Sequence, residues 1–88
     1  MRNLTFVPTG FEDYAYWQNE DRKTLKRVNA LIIDIMRNGA AIGLGKPEAL
    51  KKTPNVWSRR IDSKNRLIYT ANDEVVVIIA CRTHYGDK

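Results

Sequence analysis

Between Lys46 and Arg66 the chain reads KPEALKKTPNVWSRRIDSKNR, and near the far end His84 and Tyr85 stand side by side. The stretch gathers Lys46, Lys51, Lys52, Arg59, Arg60, Lys64 and Arg66 against only Glu48 and Asp62, a local balance of +5 that equals the charge of the whole chain. The remaining residues are balanced, so the positive charge sits in one region. Charge concentrated in this way calls for an anionic partner. A set drawn from Glu48, Arg66, Arg59 or Arg60, Lys51, His84 and Tyr85 suits one anion in particular. RNA carries its own nucleophile, the 2′-hydroxyl. Cleaving it takes a base for that proton, cations for the pentacoordinate phosphorane and an acid for the 5′-oxygen. No metal is needed to make the nucleophile, and no other cofactor is called for. A carboxylate with an ordinary pKa of about 4.3 and an imidazole of about 6.5 are a suitable base and acid. A basic pocket depresses the histidine unless a carboxylate or substrate phosphate offsets it.

Each of these residues also has a plain structural reading. Glu48 can be a salt-bridge partner for Lys51 or Lys52, His84 a surface residue, and the arginines edge-strand charges that discourage aggregation. Tyr69 reads as core or cross-strand packing. Gly43-Leu44-Gly45-Lys46 looks like half a phosphate loop, but GxxxxGK[ST] would need glycine at Ala40 and a hydroxyl residue at Pro47, so nucleotide hydrolysis has no support.

The elements that must position these residues follow from pattern. Leu4 to Val7 reads as a short strand halted by Pro8, and Thr9-Gly10-Phe11-Glu12 has the form of a capping box, which starts a first helix. Phe11, Tyr14 and Trp17 give that helix an aromatic stripe directed at the core. Asn19 or Asp21 can cap a second helix, in which Leu25, Val28, Leu31, Ile32, Ile35 and Met36 recur at three- and four-residue steps and Asn38-Gly39 supplies the stop. Arg22, Lys23, Lys26 and Arg27 on its other faces read as a solvated surface. Ala40 to Val56 is a long loop with enough apolar anchors to be ordered, and loops of this length usually serve function.

Trp57 to Ile61 and Arg66 to Ala71 alternate as strands, with turns at Asp62 to Lys64 and Asn72-Asp73. The run EVVVIIAC suits a strand at the sheet centre, buried on both faces. The expected architecture is α+β: two N-terminal helices on one face of a mostly antiparallel sheet of four to five strands, in the order β-α-α-β-β-β. Like parity shares a face, so Trp57, Arg59 and Ile61 point one way and Ser58 and Arg60 the other. If Trp57 and Ile61 face the helices, Arg59 lies at the edge of the core or reaches past it, and Arg60 stands on the open face.

Eighty-eight residues read as a single domain spanning 1–88. A single cysteine, Cys81, excludes an internal disulfide, and no Cys/His cluster offers a zinc site. The N-terminus lacks the apolar core of a leader peptide, and the longest apolar run, Val75 to Cys81, is far below the roughly 20 residues a membrane helix needs. These features are expected of a soluble cytoplasmic protein with no membrane partner.

GKPEALK (45–51), WSRRID (57–62), NRLIY (65–69) and CRTHY (81–85), together with EDYAYWQNEDRK and LIIDIMRN, resemble the YoeB (Txe) branch of the RelE-like toxins of bacterial type II toxin–antitoxin systems. The resemblance covers essentially the whole chain in one register. It implies the RelE-like fold and a ribosome-dependent endoribonuclease, an mRNA interferase acting in the ribosomal A site amid ribosomal RNA. Carried over by position, Glu48 of the KPE motif is the implied general base, Arg66 of RLIY the clamp on the scissile phosphate, and His84 the general acid. Tyr85 would position or stack on a base. Arg60, the second arginine of WSRR, and Lys51 would bind phosphate, with Arg59 and Lys46 beside them in the basic patch.

The implied partners are mRNA, the ribosome and an acidic antitoxin of the YefM type; a homodimer, or a toxin–antitoxin complex on operator DNA, is also implied as possible. The sequence departs from the family pattern in several places. Asn65 stands where histidine is common, Ala40-Ala41 where a proline and an aromatic are, the segment from Lys51 to Trp57 is one residue shorter, and Gly86, Asp87 and Lys88 follow the tyrosine. The alternative from another class is a non-catalytic basic module that binds RNA or an operator with an acidic partner, using the same patch for phosphate contacts only.

Overall fold

The computed structural model describes residues 1–83. Five strands, β1 (Asn3–Phe6), β2 (Glu48–Ala49), β3 (Trp57–Arg60), β4 (Arg66–Ala71) and β5 (Val75–Thr83), form one sheet in the order β1-β5-β4-β3-β2, and α1 (Pro8–Glu20) and α2 (Arg22–Asn38) pack on one face of it. β1 runs parallel to β5 and the other pairings are antiparallel. This is the expected α+β arrangement, with a two-residue edge strand inside what the sequence presents as loop.

The start of α1 differs from its expected cap. Val7 is the residue before the helix and Pro8 fills the first helical position, where its missing N–H costs nothing and its fixed φ is already helical. Thr9 is thus inside the helix, and its hydroxyl donates to Ile79 O at 3.0 Å. The aromatic stripe is also only partly realised: Trp17 is buried, Tyr14 is half-buried, and Phe11 is 55% exposed. Steps of three and three turn the helix by 600°, which leaves Phe11 and Trp17 about 120° apart around its axis. Trp17 therefore reaches the core while Phe11 meets the edge of Phe6 at the rim.

Asp21 caps α2, with its carboxylate accepting from Lys23 N and Thr24 N. Val28, Leu31, Ile32 and Ile35 are buried against Leu67, Tyr69, Val76, Ile78 and Cys81 of the sheet. At about 1.5 to 3 kcal/mol for each large apolar side chain, this cluster is the main term holding helices to sheet. The helix ends at Asn38, and Gly39, at φ +89°, donates to Ile35 O. Gly10 of α1 lies so close to the Ile78 carbonyl that a Cβ there would collide with it, so α1 can approach β5 only at glycine.

β5 is an interior strand, but it is unequally covered. Val76, Ile78 and Cys81 are fully buried on the helix side, whereas Val75, Val77, Ile79 and Ala80 are half-buried. The register between β4 and β5 slips twice, between Arg66 and Ile68 and again between Ile68 and Tyr69. Near these bulges the backbone of Cys81 turns to α1: its N–H donates to Asp13 Oδ2 at 2.9 Å and its carbonyl accepts from Trp17 Nε1 at 2.7 Å. Arg82 then stacks on the Tyr16 ring, 3.8 Å from the centroid.

Candidate active site

Pairing register decides which charged side chains share a face. Glu48 pairs with Ser58, Ser58 with Ile68, and Ile68 with Ala80, which makes one row across the sheet. Arg60 pairs with Arg66 and Arg66 with Thr83, which makes the adjacent row on the same side. This is the side away from the helices, since Trp57, Arg59, Leu67 and Tyr69 occupy the other parity beneath them. Arg60 is the diagonal neighbour of Glu48, about 7 to 8 Å away between backbones and within reach of long side chains. Three of the residues expected to act on RNA therefore share the face away from the helices, where Glu48 and Arg60 are exposed and Ser58 and Ile68 beside them are buried.

Arg60 and Arg66 are direct cross-strand partners, and like charges placed so are mutually destabilising unless an anion lies between them. Arg66 is half-buried, and its Nη1 donates to Asp62 O at 2.9 Å and Asn65 O at 3.2 Å. The turn that supplies those carbonyls is built by the Asp62 carboxylate, which accepts from Lys64 N at 2.8 Å and Asn65 N at 2.6 Å. Burial tends to raise the pKa of that carboxyl, but the bonds from Asn65 and Lys64 outweigh it and the net direction is downward. Asn65 thus does structural work, with its side-chain amide also donating to Asp62.

Arg60 is exposed, and among the described residues its guanidinium has no hydrogen-bond or ion-pair partner. Glu48 is exposed and has no salt bridge among the described residues, so the reading of it as a partner of Lys51 or Lys52 is not realised there. Lys46 and Lys51 flank β2 on either side, both exposed, Lys46 at φ 53°. They add positive field beside the carboxylate. The expectations for His84 and Tyr85 fall outside the described residues; Thr83, the last within them, pairs with Arg66.

Arg59 does not belong to this face. It is fully buried under α2 and the 39–45 loop, so it is no phosphate ligand; the expectation that it lies at the core edge among the RNA-binding residues is corrected. Its partners, Asp34 and Tyr69, escaped sequence reasoning as a unit. The signal was present: Asp34 is a lone acid in the apolar run LIIDIM, and Arg59 has the parity of Trp57 and Ile61. Cys81 is equally unsuited to chemistry, since burial, reinforced by nearby Asp13, pushes its thiol up to about 12.

The family model for the YoeB-like toxin of bacterial type II toxin–antitoxin systems matches residues 6–85. This chain belongs to the YoeB-like toxin family. It is 48% identical over 83 residues to Toxin YoeB of Streptomyces coelicolor, covering 93% of this chain and 98% of that one. Toxin YoeB of Escherichia coli K12 is 45% identical over the same length. Among solved structures, the YoeB dimer from Staphylococcus aureus superposes with a TM-score of 0.90 at 47% identity, covering 96% of this chain and 98% of that one. The Staphylococcus aureus YoeB–YefM complex gives 0.87 at 45%, with 97% and 99% covered. The Escherichia coli YafQ toxin in its complex with DinJ shares the fold at 16% identity, with a TM-score of 0.78. This YoeB-like toxin thus carries the family's sheet, on which Glu48, Arg60 and Arg66 share a face.

Proposed function

We propose that this toxin is a ribosome-dependent endoribonuclease that cuts mRNA in the A site. Glu48 takes the proton of the 2′-hydroxyl, the 2′-oxygen attacks the adjacent phosphorus, and the bond to the 5′-oxygen breaks. Arg66 and Arg60 hold the phosphorane between two opposed guanidiniums, with Lys51 and Lys46 adding field. His84 returns a proton to the leaving 5′-oxygen, and Tyr85 positions a base. The products are a 2′,3′-cyclic phosphate and a 5′-hydroxyl, so no external nucleophile enters and no metal is needed to make one. The observation that carries the reading is the juxtaposition of one carboxylate and two cross-strand arginines on the sheet face away from the helices.

A carboxylate inside a +5 stretch opposes electrostatic binding of RNA and is accounted for if it must accept a proton. The relatives support the biological setting: a dimer and a complex with YefM are known for the Staphylococcus aureus proteins. By the same reading this chain acts in the cytoplasm, is held in check by an acidic antitoxin of the YefM type, and forms a homodimer or, with that antitoxin, a complex that binds operator DNA.

The test is cleavage of a translated message by Glu48→Gln, Arg66→Ala and His84→Ala, read by primer extension. Loss of a base or acid is expected to slow cutting by about 10²- to 10⁴-fold. Wild-type cutting by all three overturns the reading. Salt-steep RNA binding with no cut ends in the wild-type protein would favour a non-catalytic module instead.

A further inference from the structure

The segment that delivers Glu48 to the open face is tied to a buried ion pair on the opposite side of the sheet. Arg59 uses all five of its N–H groups. Nε donates to the Tyr69 hydroxyl at 2.8 Å, Nη1 to the Asp34 carboxylate and to Leu44 O at 3.0 Å, and Nη2 to Gly39 O and Ile42 O, each at 2.9 Å. Tyr69 donates in turn to Ala40 O at 2.6 Å, and Asp34 accepts from Leu44 N at 3.1 Å. Between them the three side chains hold Gly39, Ala40, Ile42 and Leu44. Gly43, at φ +127°, lies against Asp34 and Arg59 with no room for a Cβ. The loop then passes directly to the site: Gly45 O accepts from Arg60 N at 2.7 Å, and Lys46 and Pro47 lead into Glu48.

β2 is two residues long, exposed, and on the sheet edge. Its ladder amounts to a few backbone hydrogen bonds worth about 0.5 to 1.5 kcal/mol each, and segments so weakly held open locally. On the C-terminal side it has one further tie, Leu50 N to Val56 O at 2.9 Å. On the N-terminal side it has the bond from Arg60 N to Gly45 O, and the loop before Gly45 is held by Arg59 together with Asp34 and Tyr69.

We propose that Arg59, with Asp34 and Tyr69, is the positioning residue for Glu48: the buried fork holds residues 39–45 as one piece, and that piece fixes where the edge strand carries its carboxylate. A planar five-donor fork is required, because a lysine ammonium offers three donors from a single point and cannot reach carbonyls on both sides. The inference rests on Glu48 being the base, and a misplacement of about 1 Å at a reacting group can cost about 10²-fold in rate.

The test uses the full chain carrying Arg59→Lys or Tyr69→Phe. Two things are measured well below each variant's melting temperature: single-turnover cleavage on programmed ribosomes, and amide hydrogen exchange at residues 48–50 against that of β4. The expected result for Arg59→Lys is cleavage slower by on the order of 10- to 100-fold with KM for ribosomes unchanged. Exchange at 48–50 should be about tenfold or more faster while β4 stays protected. Unchanged exchange at 48–50, a uniform rise across all strands, or wild-type cleavage overturns the proposal. Tyr69→Phe keeps the ion pair and is expected to move both readouts in the same direction by a smaller factor, so it decides the matter if Arg59→Lys does not fold. Glu48→Gln in the same assay separates the two ideas: if it cuts like wild type the catalytic reading fails, while exchange at 48–50 still reports on the positioning.

Discussion

Arg59 and Arg60 are one peptide bond apart and have opposite fates. The first is fully buried with every donor engaged; the second is exposed with no partner among the described residues. Nothing in their chemistry distinguishes them, and the difference comes from the pleat, which sends successive side chains to opposite sides of the sheet. A guanidinium on the helix side must satisfy itself from protein, because an unpaired buried charge is too costly to keep. One on the open side keeps its donors for a ligand. A run of two arginines in a strand therefore supplies one structural and one functional cation, and parity says which is which.

The sharpest way to break this comparison is to remove each side chain in turn. Arg59→Ala strands the Asp34 carboxylate and leaves the carbonyls of Gly39, Ile42 and Leu44 without their donor, and it is expected to cost about 3 to 5 kcal/mol in urea unfolding. Arg60→Ala is expected to stay within about 0.5 kcal/mol of wild type. Its effect should appear in cleavage, slowed by about 10²- to 10³-fold as one charge-stabilising donor is lost. Equal destabilisation by the two substitutions would end the distinction.

Tyr69→Phe tests the buried side more gently, since it removes one oxygen and leaves Ala40 O and Arg59 Nε unmatched. An expected loss of about 1 to 3 kcal/mol follows from leaving buried polar groups unpaired. Arg66 lies between the extremes, half-buried and bonded to two turn carbonyls. Arg66→Ala is expected to lose about 1 kcal/mol, visible as a drop of about 4 to 8 °C in melting temperature for a domain of this size.

The layout was legible where one physical rule dominated. The 3.6-residue period of Leu25 to Met36 found α2 because apolar burial decides that face, and the alternation of WSRRI found β3 and placed Arg60 outward. It failed where local rules competed. Thr9 and Glu12 fit a capping box, yet Pro8 takes the first helical position and draws the helix start two residues earlier. β2 was invisible because two residues carry no period; Glu48 and Ala49 are a strand only because Ser58 and Trp57 pair with them. The burial of Arg59 is not legible because charge argues for the surface, and the sequence does not announce five distant acceptors. Those acceptors lie from position 34 to 69, and only the folded chain brings them to one point.

The smallest expected effect is the dependence of the buried side on acid. Burial raises the pKa of the Asp34 carboxyl, but hydrogen bonds from Arg59, Leu44 N and Asn38, with the charge of Arg59, outweigh it and hold the group below its ordinary 3.8 in the folded chain. A carboxyl whose folded pKa is depressed binds fewer protons in the native than in the unfolded state, so its stabilisation is present above the unfolded pKa and is lost as pH falls through the folded one. The window lies below about pH 4. Asp34→Asn removes the titrating group while keeping its shape, so the stability gap between wild type and Asp34→Asn is expected to be constant from pH 7 to 5 and to narrow below pH 4. Arg60→Ala, on the open face, should follow the wild-type acid profile without narrowing. A gap between wild type and Asp34→Asn that persists unchanged into strong acid would mean that Arg59 is held by the loop carbonyls alone.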